Sequence, residues 1–400
     1  MSIVVQKYGG TSVATIERIQ HVAKHIVATR QSHSKIVVVV SAMGKQTDQL
    51  LDMAYQISPS PVERELDMLL TVGERITMSL LSIALNDLGV STISLTGSQS
   101  GIITDTYHGN ARIKRILGDR IEHALESAKV VIVAGFQGVS LPSKDVTTLG
   151  RGGSDLTAIA LADRLQAMRC EIYKDVDGIC TADPRLVPRA QVIPKLSWNS
   201  LTHLTWAGSG VVHSRGAHLA EKRQIPLEIR SSFDLDRPGT SVGAIETMES
   251  AVIHAISHVE NLSFIEVTHP SSSLTSHLTR WLWGRGTSPN VNQQYFTDRW
   301  LSRLSLPTRF LSDFQKMLNA DFPQAKLDII HEDLAAITVV GHGFRQEPEI
   351  LDQVLSGLVS QPLIMECQNH TLTLFVAQQT LQANMSALHE KIFSEKSQET

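Results

Sequence analysis

The chain has 400 residues, 42% apolar and 19% charged, with a formal net charge of −4. That length can bury a substantial core and exceeds one typical domain, so two domains are expected. The weakly acidic balance gives no electrostatic case for nucleic acid, and three widely spaced cysteines, Cys170, Cys180 and Cys367, argue against a disulfide framework or a zinc cage. The longest apolar run, Ile36 to Val40, has strand length, so no membrane span is expected. The opening MSIVVQKYGG shows no basic leader before a long apolar stretch. A reducing, cytoplasmic setting and a small-molecule partner follow as expectations.

In chain order, residues 3 to 5 read as a strand, QKYGGTSV as a glycine turn, and ATIERIQHVAKHIVATR as a helix. Lys7 ends that strand, and Gly9 and Gly10 form the turn, an arrangement whose amides and ammonium suit a phosphate. The lysine precedes the glycines, so this is not a Walker A loop. His21 and His25 are four apart, but with no third ligand nearby they read as a solvated helix face. KIVVVVS, Lys35 to Ser41, is the kind of strand buried on both faces of a parallel sheet. Polar residues Lys45, Gln46, Thr47 and Asp48 follow it, where ligands of open α/β sheets tend to sit.

A long helical region is expected from Val62 to Leu88. It carries Gly73, Glu74 and Arg75 inside an apolar pattern, a local inconsistency that marks either a functional site or an exposed ion pair. VSTISL is a strand, TGSQSGIITDTYHGNARI a polar loop leading to a helix ending near Ser127, and VVIVAGFQG a strand and turn. TTLGRGGSD, Thr147 to Asp155, then opens a helix at or near Ser154. Its N–H groups, glycines and Arg151 suit an anion, with Asp155 there to orient a lysine or a metal; equally, Ser154 caps the helix and the glycines only turn the chain. After a short strand, Cys170 to Tyr173, a loop carries Lys174, Asp175, Asp177 and Asp183 without EF-hand spacing. Helices near Trp198–Leu204 and Gly216–Arg223 and the strand PLEIRSS complete a half in which strands alternate with helices. The fold class is therefore α/β, a mainly parallel sheet with helices on both faces. DLDRPGTSVG, Asp234 to Gly243, reads as a linker. The remainder, including a less periodic stretch around Gly284, Gly286 and Pro289, suggests small α+β modules in βαββαβ-like order, ending in a frayed SEKSQET tail.

Taken together and in order, KYGGTSV, SAMG, VGER, SQSGIITDTYHGNARI, VAGFQG, TTLGRGGSD, YKDVDGICTADPR and PLEIRSS resemble the aspartate kinases of the amino acid kinase superfamily. The resemblance covers residues 1 to about 243, taken as the catalytic domain, with residues 244–400 a divergent ACT-like regulatory or dimerisation region. It implies transfer of the γ-phosphoryl group of ATP, with Mg²⁺, to the β-carboxylate of L-aspartate, giving 4-phospho-L-aspartate for lysine, threonine and methionine synthesis.

By the same resemblance Lys7 contacts the transferring phosphate, Gly9 and Gly10 shape the phosphate turn, and Ser41 lies near the phosphates. Thr47 and Glu74 bind aspartate, Glu74 through its ammonium. Arg151 clamps a substrate carboxylate, Gly152, Gly153 and Ser154 supply donors, and Asp155 organises Lys7 and the metal-phosphate assembly. Lys174, Asp175 and the run Ile179, Cys180, Thr181, Ala182, Asp183, Pro184 and Arg185 take the adenine and ribose side. No protein side chain is assigned as a metal ligand.

The chain departs from the resemblance in two places. Where many members carry a lysine in a GAKVLHPR segment, this chain reads Gly208, Ser209, Gly210, Val211, Val212, His213, Ser214, Arg215, so one phosphate-neutralising cation is absent. The carboxy-terminal half lacks the usual effector-binding glycine pattern in HPSSSLTSHL and has Pro348 and Glu349 where a Pro-Gly is common. Weakened feedback by lysine or threonine is expected, with the modules retained for a homodimer or higher homo-oligomer. The alternative reading is a nucleotide-binding regulatory subunit with little or no turnover.

Overall fold

The computed structural model describes residues 2–235, 237–245, 252–271, 273–284, 291–296 and 299–394. Two compact units emerge from its internal packing. One comprises Met1–Ile179, Val192–Thr205 and Gly210–Glu246, the other Cys180–Gln191, Trp206–Ser209 and Thr247–Thr400.

In the first unit β1 (Ile3–Tyr8), α1 (Ile16–Ser32), β2 (Lys35–Val40), α2 (Gln46–Ile57), α3 (Glu63–Leu70), α4 (Val72–Asp87) and β3 (Thr92–Leu95) come first. There follow β4 (Ile102–Thr104), β5 (Ile113–Ile116), α5 (Asp119–Glu126), β6 (Val130–Ala134), β7 (Gln137–Ser140), β8 (Val146–Thr148), α6 (Gly153–Arg164) and β9 (Arg169–Lys174). The last elements are β10 (Lys195–Ser197), α7 (Trp198–Trp206), α8 (Ser214–Arg223), β11 (Leu227–Ser231) and β12 (Thr240–Gly243).

Eight strands form one sheet in the order β10-β12-β11-β9-β1-β2-β6-β3. Its pairings are parallel except that between β11 and β12. Val37 to Val40 of β2 are fully buried, as expected of a strand covered on both faces, each contributing about 1.5–3 kcal/mol. Alternate residues such as Tyr8, Val38 and Val40 pack with Ile26 of α1 and Leu81 of α4, whereas α6 contacts β1, β2 and β9. Lys7 alternates with Tyr8, and its partner Asp155 belongs to α6.

Several expected elements are corrected. Lys45 caps α2, and Gln46, Thr47 and Asp48 form its first turn. The expected helical region Val62–Leu88 is helical from Glu63 to Asp87 apart from a turn at Thr71, whose carbonyl accepts from Gln137 Nε2 at 3.2 Å. By length and composition the stretch Glu63–Asp87 is apolar enough to cross a membrane, contrary to the expectation of no such window, yet it buries Asp67 and Glu74 against polar loops. The polar loop after β3 contains β4 and β5, half of a four-stranded sheet ordered β5-β4-β7-β8. The expected linker includes β12, a strand of the main sheet. His25 is not on a solvated face, since its Nδ1 lies 2.7 Å from the Tyr8 hydroxyl.

The second unit contains β13 (Val252–His269), α9 (Ser273–Gly284), β14 (Val291–Phe296), β15 (Arg299–Pro307), α10 (Leu311–Asp321) and β16 (Lys326–His342). It ends with α11 (Pro348–Ser356), β17 (Ile364–Cys367), β18 (Thr371–Ala377) and α12 (Leu381–Phe393). The two α+β modules are fused into one six-stranded antiparallel sheet, β14-β15-β13-β16-β18-β17. The long strands β13 and β16 pair along most of their length and serve both modules. One core gathers Ile265, Leu278, Leu304 and Phe314; the other gathers Ile256, Ile337, Leu374 and Leu388. The latter also takes in Ala182 and Val187 of the segment Cys180–Gln191. Gly286, Pro289 and the tail beyond Ser394 lie outside the described residues.

Candidate active site

The tips of β1 and β9 carry two lysines that meet on one carboxylate. Lys7 Nζ lies 2.7 Å from Asp155 Oδ1, and Lys174 Nζ lies 3.0 Å from Asp155 Oδ2. The backbone N–H of His213 donates to the same Oδ2 at 3.3 Å. Asp155 is 1% exposed and stands in the first turn of α6, where the helix dipole also favours a negative charge. Burial opposes its ionisation, but the ammoniums of Lys174 and Lys7 outweigh that and hold the carboxyl well below its usual range. Burial also pulls the Lys7 ammonium below its ordinary pKa, with Asp155 opposing the shift. Two cations share one anion, so the cluster carries a formal charge of +1.

The loops around it are tied together through backbone contacts. Gly9 N–H donates to the Tyr173 carbonyl at 3.1 Å, Ser41 N–H to the Tyr8 carbonyl at 3.1 Å, and Gly44 N–H to the Gly10 carbonyl at 3.0 Å. Gly152 has φ of +77°, a left-handed conformation, and a Cβ there would come within 2.8 Å of the His213 ring. Gly153 and the buried Ser154 follow at the start of α6, where Gly153 N–H donates to the Gly150 carbonyl at 2.9 Å and Asp155 N–H to the Gly152 carbonyl at 3.0 Å. The ring of His213 is pushed down to about 4 by burial and by Arg215, so it is neutral at physiological pH.

Glu74 is buried, so it does not form the exposed ion pair that the sequence also allowed. It is 3% exposed, its Oε1 accepts from Ala42 N–H at 3.1 Å, and its Oε2 is buried with no hydrogen-bond partner. Burial raises its pKa to about 7. Gly73 is required beside it, because a Cβ would stand 2.6 Å from Ala42 Cβ. A buried carboxylate oxygen without a donor is suited to a ligand cation.

Arg151 Nη2 pairs with Asp48 Oδ1 at 3.0 Å, and the Arg151 side chain is 83% exposed. Thr47, beside Asp48, sits half-buried in the first turn of α2. Beneath Arg151 the loop is braced: Arg215 donates to Asn110 Oδ1 at 2.7 Å and to the Leu149 and Ala111 carbonyls at 2.9 and 2.7 Å. Asp67, buried, accepts from Thr148 Oγ1 at 2.5 Å and Gly109 N–H at 3.1 Å and lies 2.6 Å from His108 Nδ1.

Lys7, Gly9, Gly10, Ser41, Thr47, Glu74, Arg151, Gly152, Gly153, Ser154, Asp155, Lys174, Asp175 and Ile179 all belong to the first unit. Asp175 is exposed, whereas Ile179 is buried and donates its N–H to Thr240 Oγ1 at 2.8 Å. Cys180, Thr181, Ala182, Asp183, Pro184 and Arg185 belong to the second unit. There Thr181 Oγ1 lies 2.8 Å from His389 Nε2, Ala182 enters the core, and Arg185 pairs with Asp183 at 2.6 Å. Sequence reasoning missed the place of Lys174 in the charge cluster, the pairing of Asp48 with Arg151, and the Asp67 and Arg215 braces. For Lys174 a signal existed, since it ends a buried strand as Lys7 does. Among the described residues no group of three or more His, Cys, Asp or Glu side chains could hold a metal ion.

A parallel sheet whose strand tips gather lysines, glycine turns and a helix N-terminus is the layout of a phosphoryl-transfer site. Residues 2–231 match the model of the amino acid kinase family, and the chain belongs to that family. Within it, the chain groups with the aspartokinases. It is 51% identical over 261 residues to the aspartokinase of Mycolicibacterium smegmatis, a match covering 64% of this chain and 62% of that protein. It is 41% identical over 365 residues to the aspartokinase of Geobacillus stearothermophilus, covering 90% and 89%. The fold matches E. coli aspartokinase III, solved with aspartate and ADP, with a TM-score of 0.82 at 21% identity over 98% of this chain and 100% of that one.

Proposed function

We propose that this chain transfers the γ-phosphoryl group of MgATP to the β-carboxylate of L-aspartate. The observation that carries this reading is the Lys7–Asp155–Lys174 cluster at the tips of β1 and β9. A carboxylate is already ionised at neutral pH, so no general base is needed and the work falls to charge neutralisation and positioning. The β-carboxylate oxygen forms a bond to the γ-phosphorus as the bridging P–O bond breaks, and the electron pair leaves with ADP. Lys7, held by Asp155, neutralises the transferring group; Gly9, Gly10 and Ser41 line the phosphate turn. Mg²⁺ arrives with the nucleotide as part of the substrate, and Asp155, engaged by two ammoniums, acts through the lysines.

Glu74 takes the substrate ammonium, with Thr47 beside it. Arg151 takes a substrate carboxylate, exchanging Asp48 for it, and Gly152, Gly153 and Ser154 donate from the start of α6. Lys174, Asp175 and Ile179 bind the nucleotide. The reading is supported further by the aspartokinase relatives. The fused ACT-like modules act in dimerisation with weakened feedback, because Glu349 puts a negative charge in the first turn of α11 where an amino-acid carboxylate would bind. Three cysteines, none of them in a disulfide, accord with a reducing, cytoplasmic setting.

The test is an ADP-release assay over a panel of acidic amino acids, with the acyl phosphate trapped by hydroxylamine as its hydroxamate. Aspartate-dependent ADP release with stoichiometric hydroxamate is expected. Nucleotide binding without release in the presence of aspartate would support the non-catalytic subunit instead.

A further inference from the structure

Lys174 stands in a different chemical setting from the rest of its loop. Its neighbour Asp175 is exposed, whereas the Lys174 side chain is 18% exposed and turned onto Asp155. The two oxygens of that carboxylate are divided between two lysines, Oδ1 to Lys7 and Oδ2 to Lys174. An ammonium has three donors, so contact with Asp155 leaves each lysine with donors for a second anion. A buried cluster with one charge in excess is unfavourable until such an anion joins it. The His213 ring is neutral, its backbone N–H donates to Asp155 Oδ2, and residue 210 is glycine.

We infer that Lys174 is a catalytic residue whose ammonium, steered by Asp155, binds phosphate oxygens of ATP alongside Lys7 rather than the adenine or ribose. Because both lysines hang on one carboxylate, they reach a single phosphate chain together. As the bond from the acceptor carboxylate to the γ-phosphorus forms and the bridging bond breaks, the departing electron pair settles on the β-phosphate of ADP. Two ammoniums cover that movement of charge without any proton changing hands. The assignment deepens the kinase reading and rests on it.

The experiment compares the wild-type chain with Lys174→Met and Lys174→Arg. It reads kcat and KM for aspartate and ATP, and titrates ATP, ADP, AMP and adenosine calorimetrically without aspartate. Lys174→Met is expected to lower kcat about 100-fold or more. It should weaken ATP and ADP about tenfold and leave adenosine within about twofold, as loss of one charged contact to phosphate requires. Lys174→Arg, which keeps the charge and tests the assignment should the methionine variant fail to fold, is expected to retain a substantial part of kcat. Equal weakening of all four ligands would assign Lys174 to the nucleoside and overturn the inference. Unchanged kcat and ATP affinity would overturn it too. If the wild-type chain releases no ADP with aspartate, the kinase reading falls, while the contrast between ATP and adenosine still decides whether Lys174 meets phosphate.

Discussion

Aspartate affinity should depend on pH through Glu74. The carboxyl is buried, one of its oxygens lacks a donor, and burial raises its pKa to about 7 from an ordinary 4.5. Binding the substrate ammonium requires the ionised form, and at pH 6 there are about ten protonated sites for each ionised one, against about one in ten at pH 8. KM for aspartate is therefore expected to rise about tenfold from pH 8 to pH 6, a penalty of about 1.4 kcal/mol at pH 6. Calorimetry in buffers of different ionisation enthalpy should show about half a proton released per aspartate bound at pH 7. Stability moves the opposite way. Because the folded-state pKa is raised, the ligand-free protein binds more protons than the unfolded chain between pH 4.5 and 7, so this contribution is complete below pH 4.5 and is lost as pH climbs through 7. The loss is up to about 3 kcal/mol and should be flattened in Glu74→Gln when melting is followed against pH. A KM for aspartate that is level from pH 6 to 8, or that keeps its slope in Glu74→Gln, would refute the argument.

Three further outcomes are expected. Arg151→Ala should raise KM for aspartate about 10- to 100-fold, the worth of a charged hydrogen bond, with kcat changed by less than about threefold; steady-state kinetics would show a role in chemistry if kcat fell instead. Asp155→Asn leaves two buried ammoniums without their shared anion, so kcat should drop about 1000-fold while direct aspartate binding changes little. The reverse split would exchange the roles of Arg151 and Asp155. Isothermal titration with lysine or threonine should detect no micromolar binding, and a micromolar site for either would contradict the reading of Glu349 and of the sequence HPSSSLTSHL.

The alternation of strands and helices, the buried β2, the turn after Lys7 and the helix opening beside Asp155 were legible in the sequence, because each is written in local periodicity and in glycine placement. The candidate site residues could be listed from the sequence by type and order. Local patterns also misled: Asp234–Gly243 looked like a linker because a run of turn-forming residues precedes the short β12. What only the tertiary structure decided was pairing. Nothing local tells that Asp155 divides its oxygens between lysines at positions 7 and 174, that Glu74 is buried against Ala42, or that β13 and β16 each serve two modules. These are contacts between residues far apart in the chain, set by how the parallel sheet brings strand tips together. Periodicity records which face of an element is buried; the partner it meets there is determined by the order in which the strands assemble.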